Sequence, residues 1–170
     1  KPDFTEMLGF NHEEAAEYLR YVIRKYGNNE DRFDELWTLI VNNYDGYRFL
    51  PNAHPLFNST ILTYFFKNFA ELSGGVPDEM VDENLRTDVN WIRRLTIILE
   101  NAKEMLDALV IDGELIYSQP DLRSKFNKQK FFDLDFYPVS LYYLGMTTLK
   151  DNYVMVLPNL TAQSIYMNYY

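Results

Sequence analysis

The chain has 170 residues, 47% of them hydrophobic, with a formal net charge of −9 and no cysteine. This composition excludes a disordered chain, the length suffices for one core or two small ones, and no apolar run approaches the roughly 18 residues that cross a bilayer. The acidic charge argues against nonspecific binding to duplex nucleic acid. The lack of cysteine excludes disulfides, thiolate nucleophiles and sulfur-rich zinc sites, and it agrees with a cytoplasmic location.

Two amphipathic helices are predicted at the start of the chain. Asn11 is a favourable N-cap residue, Glu14 completes a capping box, and Gly27 follows the last apolar position, so the first helix is predicted over residues 12–26. Apolar residues spaced by three and four positions predict a second helix over about 30–43. The two helices are expected to form an antiparallel hairpin.

Residues 44–49, with the sequence YDGYRF, predict a tight turn that leads into a short strand. Gly46 supplies the positive φ that such a turn favours, and three aromatic neighbours are expected to pack: Tyr44, Tyr47 and Phe49. The guanidinium of Arg48 requires a partner, for which two interpretations stay open. It either pairs with one of the 25 acidic residues or senses a nucleotide phosphate supplied by a neighbouring domain.

Helices are also predicted through the middle of the chain. Asn58 is expected to cap an aromatic-rich helix over about 59–70. Residues 76–80, VPDEM, predict a helix start with acids in its first turn. A long helix from about residue 88, with a further helical segment after it, is predicted to close at Gly113.

In the last third of the chain, apolar residues begin to recur at every second position, a spacing that is typical of strands. The predicted elements are a strand at 114–117, helices near 121–126 and 137–144, a hairpin at 147–157 with a two-residue turn at Asp151-Asn152, and a terminal helix after 160. This order resembles a winged-helix-like element. The predicted fold class is therefore mainly α with a small β component, a helical region over residues 1–113 followed by a winged-helix-like region over 114–170.

Both ends of the chain lead us to expect a longer protein. Lys1 is not an initiator Met, and no secretory leader is visible. The terminal helix ends in apolar residues that a free terminus seldom leaves uncovered: Tyr166, Met167, Tyr169 and Tyr170. Further chain or a partner domain is expected beyond them.

Motifs for nucleotide hydrolysis and for histidine catalysis are missing from the sequence. None of the seven glycines belongs to a GxxxxGK[ST] loop, so ATP hydrolysis by this chain alone is not expected. His12 falls in an exposed first helical turn and His54 lies between prolines, positions that indicate structural histidines. No Ser-His-Asp set is predicted.

Paired acidic residues offer two candidate sites. Asp78-Glu79 and Asp82-Glu83 could hold a divalent cation, although a solvated helix face explains them more simply. Asp133 and Asp135 would lie on one side of an extended segment and could serve a free-standing enzyme, but a polar strand face or a helix cap at Asp135 competes with that interpretation. A nuclease pattern is incomplete because no acid-x-Lys triplet occurs. We therefore predict no catalytic residue and no bound metal or cofactor in this chain.

A local basic patch would let the winged-helix-like region contact nucleic acid despite the acidic net charge. The candidate residues are Arg123, Lys125, Lys128, Lys130 and Lys150. Their clustering in three dimensions would favour this interpretation, and a protein-binding role for the same region stays open.

Four segments of the chain, in this order, resemble one family: MLGFNHEEAAEYL, YDGYRFLPNAHPLFNSTILTYFF, VPDEMVDENLRTDVNWIRRL and SLYYLGMTTLKDNYVMVLPNLTAQSIYMNYY. Together they are similar to the AAA-ATPase-like proteins of Bacteroides-type bacteria, over nearly the whole chain. In that family a P-loop core precedes such a segment, and a PD-(D/E)xK nuclease-like domain often follows it. The resemblance implies that this chain is the helical and winged-helix-like part after the P-loop core.

For function, the resemblance implies a noncatalytic, lid-like or regulatory role. ATP and Mg would bind to the parent protein, and the partners would be the P-loop core and the nuclease-like domain. The residues that match the family's turn are Tyr44, Gly46, Tyr47, Arg48 and Phe49, and those that match its hairpin boundary are Gly145, Pro158 and Asn159. The chain departs from the family at Asp45, where Asn is usual, and at residues 68–72, NFAEL, which replace a stretch with Tyr and Trp.

Overall fold

The computed structural model describes residues 8–27, 30–81, 90, 93–94, 96–99, 101–124 and 129–169. The described residues are mainly helical and include a three-stranded antiparallel sheet, so the predicted fold class is confirmed. They belong to two compact units, each assembled from separate segments of the chain. The first unit comprises Lys1–Tyr47, His54–Asp82 and Asn159–Thr161, and the second comprises Arg48–Ala53, Glu83–Pro158 and Ala162–Tyr170.

The first unit begins with helix α1, His12–Tyr26, and its predicted bounds are confirmed. The Asn11 side chain accepts a hydrogen bond from the Glu14 N–H at 2.9 Å, and the Glu14 carboxylate accepts one from the Asn11 N–H at 3.0 Å. This capping box satisfies backbone donors that no helical carbonyl reaches. The buried face of α1 consists of Ala15, Leu19, Val22 and Ile23.

Two further helices complete the core of the first unit. A short 3₁₀ helix, Glu30–Arg32, leads into α2, Phe33–Tyr44, and α3 spans Ser59–Glu71. The Asn58 side chain caps α3, as predicted, by accepting hydrogen bonds from two amides of its first turn at 3.0 and 3.3 Å. Each of the three helices contacts the other two, so they share one core.

Helices α1 and α2 run antiparallel, as predicted. His12, at the start of α1, bonds to Asp45, which follows the end of α2. Arg20, in the second half of α1, lies over the ring of Phe33 at the start of α2. Opposite ends of the two helices are therefore neighbours.

The chain turns sharply after α3 at Gly74, which has a φ of +91°. A Cβ atom at this position would lie 2.9 Å from the Cα of Gly27, so two backbone segments pass very close to each other. The Arg32 guanidinium donates to the Gly74 carbonyl at 2.8 Å and fixes the turn further. Only glycine meets both the conformational and the steric requirement here.

The helix start predicted at residues 76–80 is wrong. These residues form bends and irregular backbone, with no helical position. The Tyr64 hydroxyl donates to the Glu79 carbonyl at 3.3 Å, and the Tyr44 hydroxyl donates to the Met80 sulfur at 3.3 Å. These contacts with the helical core hold the segment in place of a local helix.

The second unit follows the predicted order of helices and strands. The long helix predicted from residue 88 lies partly outside the described residues, of which 90, 93–94 and 96–98 are helical. The elements after it are α4 (Ala102–Ile111), β1 (Glu114–Ile116), α5 (Gln119–Arg123), α6 (Tyr137–Tyr143), β2 (Thr148–Leu149), β3 (Val154–Val156) and, from Ala162 onwards, α7 (Leu160–Tyr169).

The three strands form an antiparallel sheet in the order β1-β3-β2. Met155 on the central strand lies opposite Leu115 on one side and Leu149 on the other. All three side chains are buried, so one face of the sheet covers an apolar core. The order of a helix, a strand, two helices and a hairpin agrees with the predicted order, and the winged-helix-like assignment stays a prediction.

The hairpin turn is wider than predicted. Residues 150–153 connect β2 to β3, instead of the two-residue turn at Asp151-Asn152. The Asp151 carboxylate accepts hydrogen bonds from the N–H groups of Tyr153 and Val154 at 2.7 and 2.9 Å. This side chain closes the longer loop, because an aspartate can bond to amides two and three positions further along.

The apolar surface predicted at the end of α7 is partly wrong. Tyr166 is only 1% exposed, whereas Met167 is 58% exposed. The side chains of Tyr169 and Tyr170 lie outside the described part of the structure.

Candidate functional site

The part of the YDGYRF turn up to Tyr47 belongs to the first unit. Tyr44 is the last residue of α2 and is fully buried. Gly46 has a φ of +99°, as predicted, and a side chain would be strained there. The Tyr47 N–H donates to the Leu56 carbonyl at 3.1 Å, and the Tyr47 carbonyl accepts from the Leu56 N–H at 2.9 Å. The predicted short strand is reduced to this isolated antiparallel bridge.

Asp45 in this turn is held by two partners. The His12 Nε2 atom lies 2.8 Å from Asp45 Oδ2, and the Asn159 side chain donates to the Asp45 carbonyl at 2.8 Å. The other carboxylate oxygen, Oδ1, is buried and has no hydrogen-bond partner in the described part of the chain. Asp45 is therefore fixed in both its side chain and its backbone.

The His12 ring packs edge-on against aromatic rings. Its centroid lies 5.2 Å from that of Phe57 and 6.0 Å from that of Trp37. Within the described ranges no hydroxyl group bonds to His12, as a catalytic triad would require. This packing favours the structural interpretation of His12. The sequence did not predict its pairing with Asp45, because 33 positions separate the two residues.

The Tyr47 hydroxyl has polar partners although its side chain is buried. Burial raises the pKa of Tyr47 to about 12, and hydrogen bonds with Asn159 and Asn58 counteract part of that rise. The phenol therefore stays protonated at neutral pH. Asn159 bonds to both the Tyr47 side chain and the Asp45 carbonyl, so it fixes the turn on either side of Gly46.

Arg48 and Phe49 belong to the second unit, where Arg48 is held through its backbone. The Arg48 N–H donates to the Thr148 hydroxyl oxygen at 2.5 Å, and that hydroxyl donates to the Arg48 carbonyl at 3.2 Å. Thr148 is only 1% exposed, so its hydroxyl is sheltered from water. Phe49 is half-buried.

The guanidinium of Arg48 has neither a hydrogen bond nor an ion pair among the described residues. The residue is half-buried. A guanidinium presents five N–H donors in a planar fork that matches the oxygens of a phosphate or carboxylate. Arg48 thus combines a fixed backbone with a head group that is available to an anion.

Residues distant in the sequence contact the YDGYRF turn within each unit. In the first unit, Asn159 bonds to the turn at Asp45, 114 positions away in the sequence. In the second unit, Thr148 of the hairpin bonds to Arg48, 100 positions away. The hairpin itself lies between Gly145, whose φ is +70°, and Pro158.

The basic residues proposed for nucleic-acid contact have different environments. Lys125 and Lys128 lie outside the described residues, and Arg123 is exposed. Lys130 donates to the Ser124 hydroxyl at 3.3 Å and lies over the Phe136 ring. Lys150 forms an ion pair with Glu114, which raises the pKa of Lys150. The charge of Lys150 is thereby neutralised locally.

If the region were winged-helix-like, the order of elements would make α6 the helix that contacts the major groove. Its sequence, YPVSLYY, contains no basic residue. Residues 137–141 are all buried, which leaves Tyr143 as the exposed residue of the helix. This helix therefore offers little for reading base edges, and nucleic-acid contact stays a prediction.

Asp133 and Asp135 are linked by a local hydrogen bond instead of lying side by side on a strand. The extended segment predicted around Asp133 and Asp135 is wrong, because these residues form a turn between the 3₁₀ helix Lys130–Phe132 and α6. The Asp133 carboxylate accepts a hydrogen bond from the Asp135 N–H at 3.1 Å, and such a local bond favours a turn over a strand.

Other potential metal ligands are separated or exposed. Asp78, Glu79 and His54 are exposed, and Asp82 and Glu83 lie outside the described residues. In the part of the chain that is described, no group of three or more His, Asp or Glu side chains could hold a metal ion.

No protein-family profile, no curated protein and no solved structure matches this chain. The resemblance to AAA-ATPase-like proteins therefore stays a prediction. None of the described helices combines the length and the apolar character that a membrane crossing needs.

Proposed function

We propose that this chain is the noncatalytic accessory region of a larger AAA-ATPase-like protein and acts as a lid or regulatory element on its P-loop core. The observation that carries the proposal is the environment of Arg48. Thr148 fixes the backbone of this half-buried residue, while the guanidinium has no partner among the residues described. An arginine held in this way is suited to phosphate oxygens that another domain presents.

In this role ATP and Mg would bind to the P-loop core of the parent protein. Arg48 would contact a phosphate when the lid closes, and the contact would be lost when hydrolysis products leave. Because the guanidinium breaks no internal ion pair to make this contact, the closed state gains the interaction without losing another. The accessory region would then transmit the nucleotide state to a nuclease-like domain, in a protein that we place in the cytoplasm.

The test is nucleotide affinity in the full-length protein, measured by titration with a fluorescent ATP analogue and Mg. We expect Arg48→Ala to weaken binding by about 10-fold or more, since a charge-assisted contact to phosphate is worth at least about 1.4 kcal/mol. Arg123→Ala is the matched control, because it removes an exposed arginine from the same unit. Equal affinities for the two variants, with unchanged unfolding midpoints, would contradict the proposal.

A second candidate is a winged-helix-like module that binds another part of its own protein. Ile116 on strand β1 is 78% exposed and Tyr153 in the hairpin loop is 68% exposed. Ile116 lies opposite Val154, and the Tyr117 N–H donates to the Tyr153 carbonyl at 2.9 Å, so both residues belong to the pairing of β1 with β3 and the loop before it. Exposed apolar side chains on one strand pair favour an interaction surface.

Binding of this chain to the separately produced remainder of its protein tests the second candidate. We expect Ile116→Asp to weaken that binding, whereas Ile97→Asp, at a position that is 73% exposed, should not. If the chain instead binds DNA in a salt-sensitive way, and Lys130→Gln weakens that binding, nucleic-acid contact would be supported.

A further inference from the structure

A cleft in the first unit lies between the second half of α1 and the start of α2. Its volume is about 410 Å³, and its walls include Arg20, Ile23, Arg24 and Phe33. Volumes of this size are typical of small-molecule sites, in which apolar walls surround a few polar groups. None of these residues belongs to the YDGYRF turn.

The two arginines of the cleft are one helical turn apart, so their side chains emerge from the same face of α1. The Arg20 guanidinium lies 4.5 Å from the centroid of the Phe33 ring, which orients it. The Arg24 Nε–H donates to the Arg20 carbonyl at 3.3 Å, which leaves the terminal nitrogens of Arg24 for another partner. Both cations are therefore directed by contacts that do not neutralise them.

Neither arginine has an acidic partner among the residues that the structure describes. The chain contains 25 acidic residues and only 16 basic ones, so most cations have an acid within reach. In the same unit, for comparison, Arg32 pairs with Glu35 at 3.1 Å and Lys67 with Glu71 at 3.9 Å. Two like charges at this helical spacing repel each other, and an anion placed between them would relieve the repulsion.

We propose that this cleft binds a small phosphomonoester, with its phosphate on Arg20 and Arg24 and its apolar part against Ile23 and Phe33. A phosphate dianion matches two guanidinium forks better than a single carboxylate does. Ile23 is only 3% exposed and supplies an apolar wall below the arginines. This proposal is independent of the role proposed for Arg48, because it concerns different residues and needs no other domain.

The expected affinity is modest. Both arginines are exposed, so water and salt screen their charges. A dissociation constant of about 1 mM or somewhat tighter is the reasonable range for a small ligand held by two solvated guanidinium groups and a limited apolar contact.

The test is a titration of this chain with phenyl phosphate, in which NMR of isotope-labelled isoleucine methyl groups monitors binding. We expect the Ile23 methyl resonances to shift with saturation and inorganic phosphate to bind several-fold more weakly, because it lacks the apolar part. Benzoate, which replaces the phosphate with a carboxylate, should also bind more weakly.

Arg20→Gln and Arg24→Gln should each weaken binding of phenyl phosphate by about 5-fold or more. Lys67→Gln, which removes one exposed positive charge from the same unit, should change it by less than about 2-fold. Absence of a saturable Ile23 shift in the wild-type chain would overturn the proposal without reference to any variant. Equal weakening by Lys67→Gln would also overturn it, because the effect would then reflect net charge alone.

Discussion

Replacing Thr148 with valine removes the hydroxyl that holds Arg48 and keeps the shape of the side chain. That hydroxyl now accepts from the Arg48 N–H and donates to the Arg48 carbonyl. Two hydrogen bonds of about 1 kcal/mol each would be lost, and each backbone group left without a partner costs a further 1 kcal/mol or more when buried. Because Arg48 is half-buried and water replaces part of the loss, we expect a destabilisation of about 2 kcal/mol.

Thr148→Ser is the matched control, because it keeps the hydroxyl and removes one methyl group at a cost of about 1 kcal/mol. Urea unfolding followed by circular dichroism gives the free energy of unfolding of both variants. The expected order of stability is wild type, then serine, then valine. A valine variant as stable as the serine variant would refute the reasoning, since the hydroxyl would then contribute nothing to holding Arg48.

Three further predictions concern the fold. Gly74→Ala should lower the free energy of unfolding by about 3 kcal/mol and Gly113→Ala by about 1 kcal/mol, both measured by thermal unfolding. Both positions have a positive φ, which strains an alanine. Only at Gly74 would the added Cβ also clash, because it would lie 2.9 Å from the Cα of Gly27, whereas at Gly113 it would meet nothing within 4 Å. Similar costs would show that the close approach is unimportant. Burial raises the pKa of Tyr47 to about 12 in the folded protein, whereas the pKa of an unfolded tyrosine is about 10. Because the unfolded chain therefore loses this proton first, the free energy of unfolding falls as the pH rises from about 10 to about 12. Urea unfolding of Tyr47→Phe should therefore show a smaller loss between about pH 7 and about pH 11 than the wild type, and an equal loss would contradict the assignment. Asn11→Ala should cost about 1 kcal/mol through loss of the α1 cap, whereas Asn11→Asp should be nearly neutral, and equal effects in urea unfolding would contradict the capping role.

Local signals in the sequence predicted much of the fold. The Asn11 capping box fixed the start of α1, Asn58 did the same for α3, and the change of apolar period located β1 and the hairpin. The positive φ of Gly46 was predictable because a glycine between two aromatic residues has few other reasons to be there. Each of these signals acts within about four positions along the chain, which is the range that caps and turns cover.

Features that depend on distant contacts were not predictable in the same way. The acid-rich segment at 76–80 has the composition of a helix start, but hydroxyl groups from α2 and α3 hold it in another conformation. Asp133 and Asp151 each bond to nearby amides and form turns that the apolar pattern does not indicate. At the candidate site, the sequence indicated Arg48 but not Thr148, because the hydroxyl that fixes it comes from 100 positions away.

The arginines of this chain differ in how their head groups are used, and that difference indicates which of them are available to a ligand. Arg32 places Nε and Nη2 on the Glu35 carboxylate and Nη1 on the Gly74 carbonyl, an arrangement that lowers the pKa of Glu35 and leaves little of the fork unused. Arg20, Arg24 and Arg48 have no acidic partner within the described ranges. In a chain with a net charge of −9, the overall field repels long polyanions, yet single guanidinium forks still attract a compact phosphate at short range. The charge distribution of the described residues therefore favours small phosphate-bearing ligands over nucleic acid.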